Sequence, residues 1–238
     1  MPVEKCPGPF GRHKPPKNDP MLTFTFPFDK TATPFHILCL GAHSDDIEIG
    51  CGGTLLRLAQ EYPLLNIRWV VFTARGARKQ EAFDSAQDFL AGVNEKQIFL
   101  EEFRDGFLPY QGAQVKEYFE TLKQQTPPDM IFTHYRHDLH QDHRLLNELT
   151  WNTWRNHLIL EYEIPKYDGD LGTPNFFVHL DPATAQQKTD LLLKHFGTQR
   201  SKDWFTTDTF LSLMRLRGVE AKAPHHYAEA FYGRKIIL

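Results

Sequence analysis

Two polar clusters in this chain combine residue types that packing alone does not call for. One is His43-Ser44-Asp45-Asp46; the other runs His134-Tyr135-Arg136-His137-Asp138-Leu139-His140-Gln141-Asp142-His143-Arg144. Each follows directly on an apolar run, where unpaired charge beside a core is costly. His140 and His143 are spaced to share one side of a helical turn. Adjacent Asp45 and Asp46 can point apart, one carboxylate toward a metal and the other toward a reacting water. An imidazole and a carboxylate from the first cluster, with one or two imidazoles from the second, make a mixed nitrogen and oxygen set. That set suits catalytic zinc, with a coordination position left for water. His134 and His137 read as residues that a turn holds in solvent.

The elements around these clusters must place them at strand ends. FHILCLGAH, from Phe35 to His43, reads as a parallel strand buried on both faces. A helical stripe follows over Ile49 to Tyr62, then a second buried strand over Asn66 to Thr73. A helix over Arg78 to Ala91 closes near Gly92. Gln97 to Leu100 is a short strand, Gln111 to Lys123 a helix, Asp129 to Thr133 a strand, and Asp142 to Trp154 a helix. This alternation implies right-handed crossovers and an α/β fold: three layers, α/β/α, around a Rossmann-like, mainly parallel sheet. In such sheets the carboxyl ends of the strands open onto the ligand crevice. Beyond Leu158 a C-terminal elaboration is expected. It comprises strands in HLILEYEI and NFFVHL, a helix over Pro182 to Phe196, a helix or lid over Trp204 to Arg217, and a last strand in AEAFYGRKIIL.

A chain of 238 residues supports one substantial core. Residues 1–33, rich in Pro, Gly and Lys at their start, are expected to form an extended arm before a single domain over 34–238; MLTFTFPFDK reads as a short strand or more of that arm. Such an arm could wrap a partner subunit, so a homo-oligomer is among the expectations. The net charge of -3 and the lack of a dense basic block exclude a nucleic-acid interface. No apolar run is long enough for a membrane span. Cys6, Cys39 and Cys51 are an odd, sparse set that fits a reducing compartment, so the cytoplasm is the expected location. Gly50-Cys51-Gly52-Gly53 does not satisfy a dinucleotide-binding turn and reads as close helix packing, with Cys51 a small buried hydrophobe.

The two clusters, Ala42-His43-Ser44-Asp45-Asp46-Ile47-Glu48-Ile49-Gly50-Cys51-Gly52-Gly53 and Thr133-His134 through His143-Arg144, resemble the signatures of the LmbE-like, or PIG-L-like, N-acetylglucosaminyl deacetylases. The family patterns are A-H-P-D-D and D-x-H-x-D-H-R. Every polar position is kept, and Ser44 stands where the family usually has proline. The resemblance covers Phe35 to Leu238. It implies His43, Asp46 and His143 as zinc ligands, Asp45 as general base, His140 as the group steadying the oxyanion, and Asp142 as the residue orienting His140. Arg78 and Asp105 look like substrate contacts, against the plainer alternatives of an ion pair from Arg78 to Glu81 or Glu48 and a turn at Asp105-Gly106. Arg144 offers a further donor. His226 could reach the site or stack on the surface beside Tyr227. The implied activity is zinc-dependent removal of an acyl group from a small N-acylated sugar or sugar conjugate. An amidohydrolase for non-sugar amides and a non-catalytic binding protein are the alternatives.

Overall fold

The computed structural model describes residues 23–237, so residues 1–22 of the expected arm lie outside the described residues. The first strand, β1 (Phe35–Gly41), shows how the sequence builds two cores at once. Its side chains alternate across the sheet. Ile37 and Cys39 enter one apolar cluster, whereas Leu38 and Leu40 enter another. Both faces are therefore covered, as the uninterrupted apolar run requires.

After β1 come α1 (Asp46–Glu61), β2 (Leu65–Val71), α2 (Ala77–Phe89), β3 (Glu95–Leu100), α3 (Gly112–Lys123), β4 (Met130–His134) and α4 (Gln141–Thr153). The chain continues through β5 (Leu158–Tyr162), β6 (Phe176–Leu180), α5 (Pro182–His195), α6 (Thr207–Glu220) and β7 (Tyr227–Gly233). Among the described residues the strands form one sheet in the order β3-β2-β1-β4-β5-β7-β6. Pairing is parallel from β3 through β5, and β7 runs antiparallel to both its neighbours. Helices α1, α2 and α5 pack together on one face, with α6 against α5 and β7, while α3 and α4 pack on the other. The three-layer α/β/α expectation is met. None of the described helices is long and apolar enough to cross a membrane.

The order of the strands positions the site. The chain winds outward from β1 through β2 to β3, then crosses back so that β4 pairs on the other side of β1. The crevice at the carboxyl ends of β1 and β4 is therefore the switch point where open sheets of this kind bind ligands. Register confirms the adjacency, with Ile37 opposite Met130 and Cys39 opposite Phe132.

Three element boundaries differ from the sequence expectation for physical reasons. Helix α1 begins at Asp46, not Ile49, because the Asp46 carboxylate in its first turn suits the positive end of a helix dipole. Helix α6 begins at Thr207, not Trp204: the Thr206 hydroxyl accepts from the Thr209 amide and caps the helix. The last strand stops at Gly233, leaving residues 234–237 outside it. The described part of MLTFTFPFDK holds no strand. Its Phe26 and Phe28 instead lie on Phe35, at ring separations of 4.8 and 5.2 Å, and seal the end of the core away from the crevice.

The glycine run in α1 packs closely, as expected. A Cβ at Gly50 would lie 2.2 Å from a ring carbon of Tyr162. That ring is fully buried and tied through its hydroxyl to the Leu40 carbonyl at 2.6 Å. Gly50→Ala is thus expected to lower the unfolding free energy by about 1–3 kcal/mol, the usual cost of overpacking a core. Urea denaturation measures it, and an unchanged midpoint would show that Tyr162 yields freely.

Candidate metal centre

Gly41 ends β1, and the next residues turn into α1, so His43, Asp45 and Asp46 stand at the strand end. His134 ends β4, and the chain turns through 135–140 before α4 brings Asp142 and His143 back over the same crevice. Parallel pairing of β1 with β4 brings together side chains that are 100 residues apart: His43 Nδ1 lies 3.1 Å from His143 Nε2. Asp46 Oδ2 completes a triangle, 3.2 Å from His43 Nδ1 and 3.5 Å from His143 Nε2. Ligands about 2.0–2.1 Å from a tetrahedral zinc ion are separated by about 3.3 Å. The three atoms match that spacing.

Protonation supports the same conclusion. His143 Nδ1 faces Asp138 Oδ2 at 2.9 Å and must carry the proton to bond there, which leaves a bare lone pair on Nε2. Burial and the neighbouring His134 push the His143 pKa down to about 3, so the ring is neutral and able to ligate. His43 Nε2 lies 3.2 and 3.4 Å from the Asp105 and Asp142 carboxylates, and its Nδ1 faces inward toward Asp46 and His143. Burial opposes charge on Asp46, yet the surrounding imidazoles of His143, His134 and His43 hold its carboxyl well below the usual range. For His43 burial also disfavours charge, but Asp46, Asp105 and Asp142 outweigh it and raise its pKa well above that of an ordinary imidazole. The crevice thus favours positive charge, carried either by a proton on His43 Nδ1 or by a cation that replaces it. The donor set fits a divalent cation.

Three overlapping donor sets are weaker. His43, His140 and His143 converge, but His140 Nδ1 already accepts the Asp142 amide. Asp46, His134 and His143 also lie close together, but His134 Nε2 accepts the Ala42 amide at 2.9 Å and has no lone pair to spare. His43, Asp105 and Asp142 form another cluster around His43 Nε2. There Asp142 is already engaged: its carboxylate accepts the Gly106 and Leu108 amides at 2.8 and 3.1 Å.

His134 corrects the sequence reading. It is fully buried, not held in solvent, and stacks on His143 with ring centroids 3.8 Å apart. Asn147 holds its carbonyl, and the Tyr162 hydroxyl lies 3.3 Å from its Nε2. The available signal was its position as the last residue of an otherwise apolar strand. Asp138 and Lys166 were also assigned no individual role from sequence. Asp138 bridges the His143 ring, the His140 amide at 2.7 Å and the Lys166 ammonium at 3.0 Å. Lys166 sits in an irregular connection whose spacing carries no signature.

Asp45 is almost fully buried, and its partner is Arg78, with Nη2 2.9 Å from Oδ1. Burial raises the Asp45 pKa, and the guanidinium restrains the rise. Neither sequence alternative for Arg78 holds, since Glu81 bonds Thr198 and both oxygens of buried Glu48 lack a hydrogen-bond partner. His140 caps α4, its Nδ1 accepting the Asp142 amide at 3.2 Å. This fixes the proton on Nε2. Burial and nearby His43 lower the His140 pKa, so the ring is a neutral donor and not an imidazolium. The Asp142 carboxylate, expected to orient His140, lies instead against His43 and the 106–108 backbone; only the Asp142 amide touches the His140 ring. Arg144 donates to the Asp138 and Leu139 carbonyls and so braces the loop. His226 is exposed at the start of β7 in a left-handed backbone conformation, φ 68°, and forms no side-chain hydrogen bond or ion pair with the cluster among the described residues.

Comparisons with known proteins identify relatives of this chain. Over 138 residues the chain is 31% identical to the uncharacterized deacetylase YaiS of Escherichia coli K12, covering 54% of this chain and 74% of that one. The solved N,N'-diacetylchitobiose deacetylase of Pyrococcus horikoshii superposes with a TM-score of 0.61 at 20% identity, over 84% of this chain and 83% of its own. GalB, the 4-carboxy-2-hydroxymuconate hydratase of Pseudomonas putida KT2440, superposes with a TM-score of 0.64 at 15% identity, over 86% and 98%. At such identities these likenesses establish the fold alone. The sequence pattern of the PIG-L family, GlcNAc-PI de-N-acetylase, matches residues 38–154 and so spans both loops of the donor triangle. By that match and by its kinship with YaiS, the chain belongs to the PIG-L, or LmbE-like, family of deacetylases.

Proposed function

We propose that this deacetylase holds zinc between His43, Asp46 and His143 and removes the N-acetyl group from an amino-sugar-containing small molecule. The observation that carries the reading is the donor triangle, with edges of 3.1, 3.2 and 3.5 Å and the His143 Nε2 lone pair turned inward. When bound, the ion supplies Lewis acidity, which makes a water acidic near neutral pH and polarises the acyl carbonyl.

The chain's own residues supply the rest. Asp45 stands in the ligand loop between His43 and Asp46, and its carboxylate is no part of the triangle. It takes a proton from the attacking water and returns it to the departing nitrogen as the amide C–N bond breaks. The products are acetate and a free amine. Burial raises its basicity and Arg78 aims the carboxylate. Because the His140 Nδ1 is occupied, its Nε2–H is the donor for the oxyanion. Asp105, more than half exposed beside His43, is placed to accept from a substrate hydroxyl.

The surroundings favour a conjugate over a free sugar. Leu139 lies between Asp138 and His140, and Phe107 between the two residues whose amides bond Asp142. Tyr167 and Leu171 flank the Lys166–Asp170 pair. All four are exposed large apolar side chains, the kind of surface that takes the apolar part of a ligand.

Asp45→Asn is expected to keep one equivalent of metal by elemental analysis and to lose turnover by about 10²–10⁴-fold. His143→Ala should lose metal and turnover together, and steady activity in a metal-free preparation would reject the reading. His140→Ala should lower kcat by about 10²–10³-fold at unchanged metal content. A panel of methyl and octyl glycosides of N-acetylglucosamine, with N-acyl amino acids alongside, is scored for free amine. Higher kcat/KM on the octyl glycoside is expected; preference for an acyl amino acid would move the substrate class away from sugars.

A further inference from the structure

The connection between β5 and β6 is tied to the metal loop at two points. Lys166 Nζ lies 3.0 Å from Asp138 Oδ2, the oxygen that bonds His143. Four residues on, Asp170 bonds the Lys166 ammonium and accepts the Leu139 amide at 2.7 Å. All three side chains are nearly buried, with 3%, 10% and 6% exposure for Asp138, Lys166 and Asp170. Lys166 is thus the cation shared by two carboxylates, one of which orients a ring of the donor triangle.

We propose that Lys166 is a positioning residue that sets metal affinity through Asp138 and His143, and that it latches the β5–β6 connection onto the metal loop. The inference rests on the metal reading above. A buried carboxylate between an imidazole N–H and an ammonium is held in place by both. Removing the ammonium leaves Asp138 and Asp170 facing each other without a cation. Such a pair separates or admits water, and either movement takes Asp138 off His143 Nδ1. The ring then loses the hydrogen bond that turns its Nε2 toward His43 and Asp46. Carboxylates that orient metal-bound histidines in this way typically govern affinity by 10–100-fold. The basic side chain reaches the centre from a segment outside both signature loops, which explains why neither motif includes it.

The test measures zinc affinity by chelator competition and records the visible spectrum of the cobalt-loaded protein, both independent of turnover. Lys166→Met is expected to weaken zinc by about 10–100-fold and to change the cobalt bands, with Lys166→Arg restoring both. Should Lys166→Met fail to fold, Lys166→Gln removes the cation, keeps a polar side chain in its place, leaves both carboxylates and carries the same expectation. A folded variant of either kind that binds zinc as tightly as the parent, with unchanged cobalt bands, overturns the proposal. A parent protein that takes up no metal overturns the metal reading instead, so the two failures are distinct.

Discussion

Three electron-pair donors held within 3.5 Å of one another are the constraint around which this molecule is organised. Two imidazole lone pairs and a carboxylate repel at that range unless a positive charge sits among them. They come from opposite sides of a 100-residue gap, and flexible loops would let them drift apart. The sheet prevents this. Because β1 and β4 are paired neighbours buried on both faces, their ends are fixed relative to each other by backbone hydrogen bonds and by two separate cores.

Each donor is then steadied by a group with no apparent chemistry of its own. Asp46 stands in the first turn of α1, where its carboxylate accepts the His43 amide at 2.6 Å and meets the positive end of the helix. Asp138 holds the far nitrogen of His143, and the stacked ring of His134 limits its rotation. His134 is itself clamped by the Ala42 amide, the Asn147 side chain and the Tyr162 hydroxyl. The order runs outward from ligand to brace to core, so much of the buried polarity of the crevice belongs to one network. A network of this kind is stable only when its members are satisfied.

The same layered sheet serves a deacetylase and a hydratase among the structures it resembles. The sheet alone therefore does not select the reaction. What distinguishes this chain lies in the loops around the triangle. The Arg78–Asp45 pair sets the state of the free carboxylate. The 104–108 turn is pinned by Asp142. The β5–β6 connection brings Lys166 to Asp138 and leaves Tyr167 and Leu171, close by in sequence, exposed.

The sequence by itself determined the alternation of strands and helices, because a run buried on both faces and a helical stripe leave different periodicities. It also singled out two loops as candidates for the chemistry, since His43-Ser44-Asp45-Asp46 and the 134–144 stretch set dense polarity at a strand end. Helix starts were less legible, because Asp46 acts through its charge in a first turn and Thr206 through a cap hydrogen bond, not through apolar spacing. Tertiary structure alone decided the burial of His134, the pairing of Arg78 with Asp45 and the place of Asp142 against His43. It also decided the reach of Lys166 into Asp138. These are contacts between residues far apart in the chain, created by strand order and loop docking. Periodicity records which way a residue faces along its own element; it carries no information about the partner waiting there.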